Sequence, residues 1–242
     1  MGDISLDVLE KLRAVDTPTV CNIVELFDVR PRNTGFMDGR IKACFPELPP
    51  FIGFAATATF RASLAPRAGD IYGDLAAQVE RFGDLSGPPV VVFQDLDDPS
   101  VGATFGEVMC TTYQAFGAVG LITSGAGRDL DQVRGLNFPL FSHSTICAHG
   151  FCHVVDVHAP VYVGGVAIYP DDLLHGDLNG VTTIPRDIAT EVADISDEFI
   201  AAETIVLNVV RGNRPALTEL REACIEKDVV VADLRARVTR RR

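Results

Sequence analysis

Runs of apolar residues alternate with polar turns along the chain and predict a series of short strands and helices. The runs PVVVFQDL (89–96) and VGLIT (119–123) are typical of buried strands, and each precedes a glycine-containing turn and a helical pattern. We expect the two helices at about 104–116 and 129–136, followed by a short strand at 137–142. Because open α/β sheets bind ligands at the carboxyl ends of their strands, the two turns are candidate site positions.

The N-terminal part of the chain is predicted to be helical at first and extended further on. Asp16-Thr17-Pro18 is a helix start, with Thr17 as the N-cap and Pro18 at the first helical position. The other predictions rest on periodicity, alternation and proline or glycine content. They are a helix at 5–14, a helix from the Asp16 start to about Phe27, a loop at 30–50, a strand at 51–62, and a helix at 69–83 that could begin at Gly69-Asp70.

From residue 153 to 185 the pattern changes to short strands and tight turns. Val163-Gly164-Gly165-Val166 predicts a hairpin with a two-glycine turn, and Leu178-Asn179-Gly180-Val181 predicts a second hairpin. His175 and Asp177 precede the second turn, and we expect them to serve its geometry or a subunit contact. Helical patterns follow at 186–210 and at about 216–227.

The composition is that of an ordinary soluble protein, with 242 residues, 47% hydrophobic and 22% charged. Length and pattern predict one α/β domain over 1–242, with a core at about 15–205 and a helical C-terminal extension at about 206–242. No apolar run reaches the ~18 residues that a membrane helix needs, and the N-terminus has no apolar signal core. We therefore expect a cytoplasmic protein without a membrane partner.

The net charge of −12 and the pI near 4.8 disfavour a nucleic-acid partner, because an acidic surface repels phosphate backbones. The basic cluster RARVTRRR (235–242) is interpreted as a frayed, solvated tail rather than a nucleic-acid arm. An anionic substrate would then need a local positive element, such as Arg128, a metal ion or a helix N-terminus.

Histidines and cysteines are concentrated in segment 143–158. Buried free thiols are the default interpretation of the six cysteines, because the chain is long and carries no signal peptide. The segment invites a zinc hypothesis, although the lack of a paired Cys-x-x-Cys favours structural roles. A third interpretation has His149 or His153 lining the mouth of a substrate pocket. The members of the group are His143, His149, His153 and His158 with Cys147 and Cys152.

Two carboxylates and a guanidinium fall at the two candidate turns. Gly106-Glu107 opens the first predicted helix, and after twenty intervening residues Arg128-Asp129 follows the second strand. A metal-binding carboxylate beside an arginine suits a small anionic substrate with a keto oxygen. Two other interpretations are a surface ion pair at a helix start and a nicotinamide-binding loop, whose fingerprint needs a glycine where this chain has Leu130.

With these motifs placed, the chain resembles the RraA-like family, which includes the 4-hydroxy-4-methyl-2-oxoglutarate/4-carboxy-4-hydroxy-2-oxoadipate aldolases. The resemblance covers most of 15–205. It implies a layered α/β sandwich with a central sheet and flanking N- and C-terminal helices, assembled as a trimer or hexamer with active sites between subunits. The matching motifs are Asp16-Thr17-Pro18, Gly106-Glu107, Gly125-Ala126-Gly127-Arg128-Asp129, Phe138-Pro139-Leu140-Phe141, Val163-Gly164-Gly165, Gly176-Asp177-Leu178-Asn179-Gly180-Val181 and Ile184-Pro185.

The resemblance also implies a divalent metal, Mg²⁺ or Mn²⁺, and a role for each site residue. Asp129 would be the direct metal ligand, Glu107 would hold the metal through a water, and Arg128 would contact the substrate. The family further uses an acid from the C-terminal helix of a neighbouring subunit, for which Glu198 and Glu203 are both candidates.

Backbone amides at the start of the first site helix are candidate substrate contacts. After Gly106, the amides of Glu107, Val108 and Met109 would lie at a helix N-terminus, where they could bind the substrate carboxylate. Such a site suits an enzyme that must stabilise the enolate of pyruvate. The predicted function is metal-dependent retro-aldol cleavage of a 4-hydroxy-2-oxo acid to give pyruvate, with oxaloacetate decarboxylation as a side or main activity.

Three departures from the aldolase pattern leave the substrate open. Glu107 stands where aspartate is favoured, Gln132 stands where an acid is common, and segment 143–158 is unusually rich in histidine and cysteine. One alternative is a lyase that acts on another 2-oxo acid. The other is a non-catalytic binding protein of the ribonuclease-regulator type, since fold alone does not decide function.

Overall fold

A computed structural model describes residues 4–68, 71–211 and 214–239. Helices and short strands alternate through these ranges. The α-helices described are α1 (Leu6–Arg13), α2 (Thr17–Leu26), α3 (Ile71–Glu80), α4 (Glu107–Ala115), α5 (Leu130–Arg134), α6 (Ala189–Val210) and α7 (Leu217–Thr239). The strands described are β1 (Lys42–Ala43), β2 (Phe51–Arg61), β3 (Pro89–Asp95), β4 (Ala103–Phe105), β5 (Gly120–Thr123), β6 (Ala126–Gly127), β7 (Leu140–Ser142), β8 (Ser144–Thr145), β9 (His153–Val157), β10 (Val161–Val163), β11 (Val166–Ile168), β12 (Leu173–Asp177) and β13 (Gly180–Ile184).

A mixed central sheet organises the molecule. Its strands lie in the order β1-β7-β5-β3-β2-β12-β13, and β9 also pairs with β2. The strands β2, β3, β5 and β7 run parallel to one another, whereas β1, β9, β12 and β13 pair antiparallel with their neighbours. The predicted α/β class is confirmed. The carboxyl ends of the parallel strands therefore point to one edge of the sheet.

Both faces of the sheet are covered, so its inner strands are apolar on both sides. Along β3, Val91 and Phe93 pack on the face that carries Tyr113 of α4. Val90 and Val92 alternate with them and pack on the opposite face, against the hairpin of β10 and β11. This alternation follows from the period of two in a strand, and burial on both faces explains the continuous apolar run of the sequence.

Helices from the two ends of the chain pack together. The helices α1, α2, α6 and α7 share one hydrophobic cluster with Phe54 and Leu173 of the sheet. The last helix continues to Thr239, so the predicted end near 227 and the predicted frayed tail from 235 are wrong within the described residues. Burial of Leu234 and Val238 explains the difference, because both side chains join that cluster. Residues 240–242 of the predicted tail lie outside the described residues.

Most predicted elements are confirmed, and the differences have local causes. The helix predicted at 104–116 begins at Glu107, because Ala103–Phe105 forms β4. The helix predicted at 69–83 becomes α3 followed by a 3₁₀ helix at Arg81–Asp84, and its suggested start at Gly69-Asp70 lies outside the described residues. The predicted loop 30–50 contains the short strand β1.

The predicted hairpins and the second helix start can also be compared with the structure. Gly164 and Gly165 form the turn between β10 and β11, both with positive φ as a two-residue hairpin turn requires. The second hairpin joins β12 to β13. The predicted N-cap Thr17 is instead the first helical residue, because the Asp16 side chain accepts a hydrogen bond of 2.9 Å from the amide of Thr19 and caps α2.

Candidate active site

A second, small parallel sheet brings the two candidate turns together. The strands β4 and β6 are parallel neighbours, with Phe105 opposite Gly127, and β8 pairs with the other side of β6. The amide of Arg128 donates a hydrogen bond of 3.1 Å to the carbonyl of Phe105. Gly106 and Glu107 leave β4 on the side where Arg128 and Asp129 leave β6. The predicted catalytic residues therefore lie beside one another.

Asp129 is held in an unusual backbone conformation. It precedes α5 with φ 55° and ψ 36°, which is the left-handed region, and its side chain does not cap its own helix. Its Oδ2 instead accepts a hydrogen bond of 3.0 Å from the amide of Glu107 and lies 3.6 Å from Nε of Arg128. A left-handed non-glycine residue costs on the order of 1–3 kcal/mol, and such strain clusters at functional sites. The carboxylate is thus aimed across the two turns.

Two glycines leave the space that this arrangement needs. A Cβ on Gly106 would lie 2.5 Å from Oδ2 of Asp129 and 3.1 Å from Nε of Arg128. Gly106 has φ −154°, which any residue can adopt, so room for the carboxylate is the reason for glycine here. A Cβ on Gly127 would lie 1.9 Å from the buried ring of Phe105, so the close approach of β4 and β6 also depends on glycine.

The side chains around Asp129 enclose a small cavity of about 50 Å³. Its polar wall contains Glu107, Arg128, Asp129 and His149, and Leu75 contributes to its apolar wall. The side chains of Arg128 and Asp129 are 33% and 38% exposed, so both reach solvent through the opening. On this scale a water needs about 10–15 Å³, and the cavity therefore admits a small ligand or the reacting end of a larger one.

The N-terminus of α4 forms part of the same wall. The candidate substrate-binding residues Gly106, Val108 and Met109 line the cavity together with Glu107. The amide of Glu107 already donates to Asp129. The amides of Val108 and Met109 lie in the first turn of α4 and have no intrahelical acceptor. These two amides are therefore the ones that can bind an anionic group.

The histidines and cysteines of segment 143–158 are divided between the cavity and other parts of the protein. His149 and Cys152 line the cavity, whereas His143 lines a separate crevice. The Nδ1 of the half-buried His153 lies 2.8 Å from the carbonyl of Phe151. Among the described residues, no group of three or more histidine, cysteine, aspartate or glutamate side chains could hold a metal ion. The segment therefore offers no zinc cluster of this kind within the described chain.

Two sequence motifs far apart in the chain meet at the start of α2. The amide of Thr17 donates a hydrogen bond of 3.0 Å to Oδ2 of Asp177, and the Thr17 hydroxyl lies 2.9 Å from Nδ1 of His175. Nε2 of His175 lies 3.0 Å from the carbonyl of Leu12, so Nε2 carries the proton and Nδ1 accepts from Thr17. Asp177 also accepts from the amide of Asn179, as expected for turn geometry. This network is structural.

Some cavity residues were not predicted from the sequence. Leu75 and Cys152 reach the cavity from α3 and from the segment before β9. Leu75 carries no local signal of function, and Cys152 was singled out only as a member of the histidine- and cysteine-rich group. The candidate acids Glu198 and Glu203 lie on α6 and do not line this cavity of their own chain, and Glu198 pairs with Arg237 at 2.7 Å.

No helix in the described ranges is long and apolar enough to cross a membrane.

Comparison with known proteins assigns the chain to a protein family. A family model described as "RraA-like: Aldolase/RraA" matches residues 17–183. A protein of Halalkalibacterium halodurans named "Putative 4-hydroxy-4-methyl-2-oxoglutarate aldolase" is 33% identical over 115 residues, which is 47% of this chain and 54% of that protein. The chain thus matches only about half the length of that relative.

Solved structures show the same fold. An uncharacterized protein from Pseudomonas syringae superposes with a TM-score of 0.71 at 20% identity, over 93% of this chain and 95% of that one. Streptomyces coelicolor RraAS2, described as an unusual member of the RNase ES inhibitor RraA protein family, gives a TM-score of 0.67 at 22% identity, over 84% and 97%. At such identities the likeness concerns the fold alone.

Proposed function

The chain belongs to the RraA-like family, and we propose that it is a divalent-metal-dependent carbon–carbon lyase that releases pyruvate from a 2-oxo acid. The substrate would be a 4-hydroxy-2-oxo acid cleaved in the retro-aldol direction, or oxaloacetate losing carbon dioxide. The observation that supports the proposal most is the convergence of Glu107, Arg128 and Asp129 on one small cavity. A pure binding protein has no need of that set.

The donor set around Asp129 suits Mg²⁺ or Mn²⁺. Mg²⁺ in proteins commonly takes one or two carboxylates and keeps several waters. Asp129 offers a partly exposed carboxylate whose Oδ2 is oriented by the amide of Glu107. Asp129 would be the direct ligand, and Glu107, which is exposed at the rim, would hold the ion through a water. The ion would supply Lewis-acid stabilisation of the negative charge that develops on the 2-oxo oxygen.

The retro-aldol reaction requires one base and one stabiliser of negative charge. A proton leaves the C4 hydroxyl, the C3–C4 bond breaks, and its electron pair forms the pyruvate enolate while the other fragment leaves as a carbonyl compound. Glu107 would take the proton through one water and return it to C3. Arg128 would donate to the enolate oxygen, where its fixed charge is most effective in a partly closed site.

Decarboxylation of oxaloacetate would use the same site residues. The C3–C4 bond breaks, carbon dioxide leaves, and the electron pair forms the same enolate, which is then protonated at C3. The amides of Val108 and Met109 at the start of α4 would hold the substrate carboxylate in both reactions. Since only the leaving fragment differs, a site that stabilises this enolate serves both substrates.

The assembly is part of the proposal. We propose a cytoplasmic homotrimer or hexamer in which an acid of α6, Glu198 or Glu203, reaches the cavity of a neighbouring subunit. Both residues lie on α6 outside the cavity of their own chain.

Pyruvate release tests the proposed reaction. The purified protein is assayed with oxaloacetate and with 4-hydroxy-4-methyl-2-oxoglutarate, in Mg²⁺ and in excess chelator. We expect turnover that needs the metal, abolition by Asp129→Ala, and a loss of about 100- to 1,000-fold for Arg128→Ala, as for removal of an oxyanion donor. Arg134→Ala is the matched control, because Arg134 pairs with Glu47 outside the cavity. Turnover that survives chelation would exclude the mechanism.

The competing proposal is a non-catalytic, ribonuclease-regulator-type protein. The net charge of −12 would favour a basic partner. That proposal gains if no tested 2-oxo acid yields pyruvate while the protein inhibits a ribonuclease. Inhibition that is unchanged by Asp129→Ala would further separate such binding from the cavity.

A further inference from the structure

A short loop forms the wall of the cavity that faces Arg128 and Asp129. Its backbone is tied to two strands, since the amide of Ala103 donates to the carbonyl of Ala148 at 3.0 Å and the amide of Phe151 donates to the carbonyl of Ala62 at 2.9 Å. Gly150 has φ +58°, a conformation that favours glycine. These restraints fix the position of His149, which lies between the two tethers.

The His149 ring also contacts the side chain of Cys152. The Sγ of Cys152 lies 3.2 Å from Nε2 and 3.4 Å from Nδ1 of His149. Burial raises the pKa of the Cys152 thiol, and the nearby Arg128 guanidinium acts in the opposite direction. His149, Cys152 and Arg128 therefore surround the same small space, and the imidazole belongs to the site rather than to an unrelated surface.

The strand β4 sets the distance between the two ends of the cavity. At its first end a Cβ on Gly102 would lie 2.7 Å from the carbonyl oxygen of His149. Past its other end, Gly106 packs against Asp129. Four residues of strand at ~3.3 Å each separate these two points by about 13 Å. His149 and Asp129 therefore lie near opposite ends of β4, and both line the same small cavity.

The charged side chains of the cavity wall indicate which chemical group a substrate would carry at the end that lies away from Arg128 and Asp129. Among the residues that line the cavity, Arg128 and His149 are the two side chains that can carry positive charge, and Glu107 and Asp129 carry negative charge. His149 is exposed, and a second carboxylate on the substrate would need a hydrogen-bond donor on this side of the cavity. The ring nitrogens of histidine can supply that donor.

We propose that His149 binds the distal carboxylate of the substrate and makes the site selective for 2-oxo acids that carry a second carboxylate. The inference rests on the proposed function, because it takes the reacting 2-oxo end to lie at Arg128 and Asp129. His149 contacts the part of the substrate that leaves, which in oxaloacetate is the carboxylate lost as carbon dioxide, and it does not contact the enolate oxygen. Its removal should therefore weaken recognition of the distal group and spare recognition of the reacting end.

Ligands that bind but do not react distinguish binding of the distal carboxylate from binding of the reacting 2-oxo end. L-Malate and L-lactate differ by the distal carboxylate, and oxalate mimics the enolate without any distal group. Their dissociation constants are measured by calorimetry in Mg²⁺ for the wild type, His149→Ala and the control His143→Ala, whose side chain lies in another crevice. We expect the wild type and the control to prefer malate over lactate. In His149→Ala the malate dissociation constant should rise about tenfold, as for loss of a charge-assisted hydrogen bond.

Each result has a separate meaning. Oxalate binding that is unchanged in His149→Ala, together with loss of the malate preference, supports the role of His149. Retained malate preference in His149→Ala, with oxalate bound normally, overturns it and leaves the proposed function standing. Failure of the wild type to bind oxalate in Mg²⁺ overturns the proposed function and the role of His149 together. A thermal melt of each variant checks that the fold is retained.

Discussion

The amide of Glu107 donates a hydrogen bond of 3.0 Å to Oδ2 of Asp129, joining the first residue of α4 to the residue that precedes α5. The bond orients the carboxylate over the place where Gly106 lacks a side chain. The Asp129 side chain is thus engaged by the neighbouring turn instead of by its own helix.

Gly106→Ala is expected to displace the Asp129 carboxylate and remove most of the activity without unfolding the protein. The new Cβ would lie 2.5 Å from Oδ2 of Asp129, and the end of a partly exposed side chain can move away at little cost to stability. Pyruvate release and a thermal melt measure the two effects. Gly39→Ala is the control, because a Cβ there meets nothing within 4 Å. Full activity in Gly106→Ala would show that the carboxylate position is unimportant.

Gly127→Ala is expected to destabilise the fold itself. The Cβ would collide with the ring of Phe105, which is buried and cannot swing out to solvent. Overpacking of this kind costs about 1–3 kcal/mol, and it should separate β4 from β6. Urea denaturation compares this variant with Gly83→Ala, whose Cβ would meet nothing within 4 Å. Equal stabilities of the two variants would contradict the packing described here.

His175 should make stability depend on pH. Burial lowers its pKa below the ordinary value of 6.5, and the carboxylates of Asp177 and Asp16 act more weakly in the opposite direction. Between the lowered pKa of His175 in the folded chain and its ordinary pKa in the unfolded chain, the unfolded chain binds more protons than the folded chain. The free energy of unfolding therefore rises with pH in this window. Stability is therefore lost as pH falls below about 6.5.

His175→Gln tests this linkage, because glutamine can donate to the carbonyl of Leu12 and does not titrate. Urea denaturation from pH 5 to pH 7.5 should show a flatter pH dependence for the variant than for the wild type, with lower stability at neutral pH from imperfect hydrogen bonding to Thr17. Identical pH slopes for the two proteins would mean that His175 does not contribute.

Leu234→Ala should show that the last helix belongs to the core. Leu234 on α7 is 1% exposed within the cluster of terminal helices, and truncation of a buried leucine costs about 2–5 kcal/mol. Ile225 on the same helix is 65% exposed, so Ile225→Ala should change stability by less than about 0.5 kcal/mol. Denaturant midpoints measure both, and a similar small effect of the two substitutions would place α7 outside the cooperative fold.

The parts of the site that local sequence patterns encode could be predicted. The buried strands β3 and β5 are continuous apolar runs, and the turns after them were identified with Glu107, Arg128 and Asp129 on them. In the structure these residues directly follow β4 and β6, which pair in a second, smaller sheet. The motif around Gly164 and Gly165 similarly specifies a hairpin through the positive φ that two glycines permit.

The rest depends on pairing between distant segments. Two- and three-residue strands such as β4, β6 and β8 have no periodicity to detect, so a helix was predicted where β4 lies. The length of α7 is set by burial of Leu234 and Val238 against other helices rather than by a local signal. The sequence left His149 and His153 as alternatives for the mouth of a pocket. The structure places His149 at the cavity, through backbone hydrogen bonds of its neighbours Ala148 and Phe151 to Ala103 and Ala62.

Binding of oxalate in the presence of Mn²⁺ tests the proposed site without requiring turnover. Calorimetry of the wild type should show oxalate binding that depends on the metal and that Asp129→Asn weakens by about 100-fold, the upper range for perturbing a metal site. Asn keeps the size of the side chain and tolerates the left-handed backbone of Asp129. Oxalate that binds equally well to Asp129→Asn, or that binds the wild type without metal, would contradict a metal-assisted enolate site at Asp129.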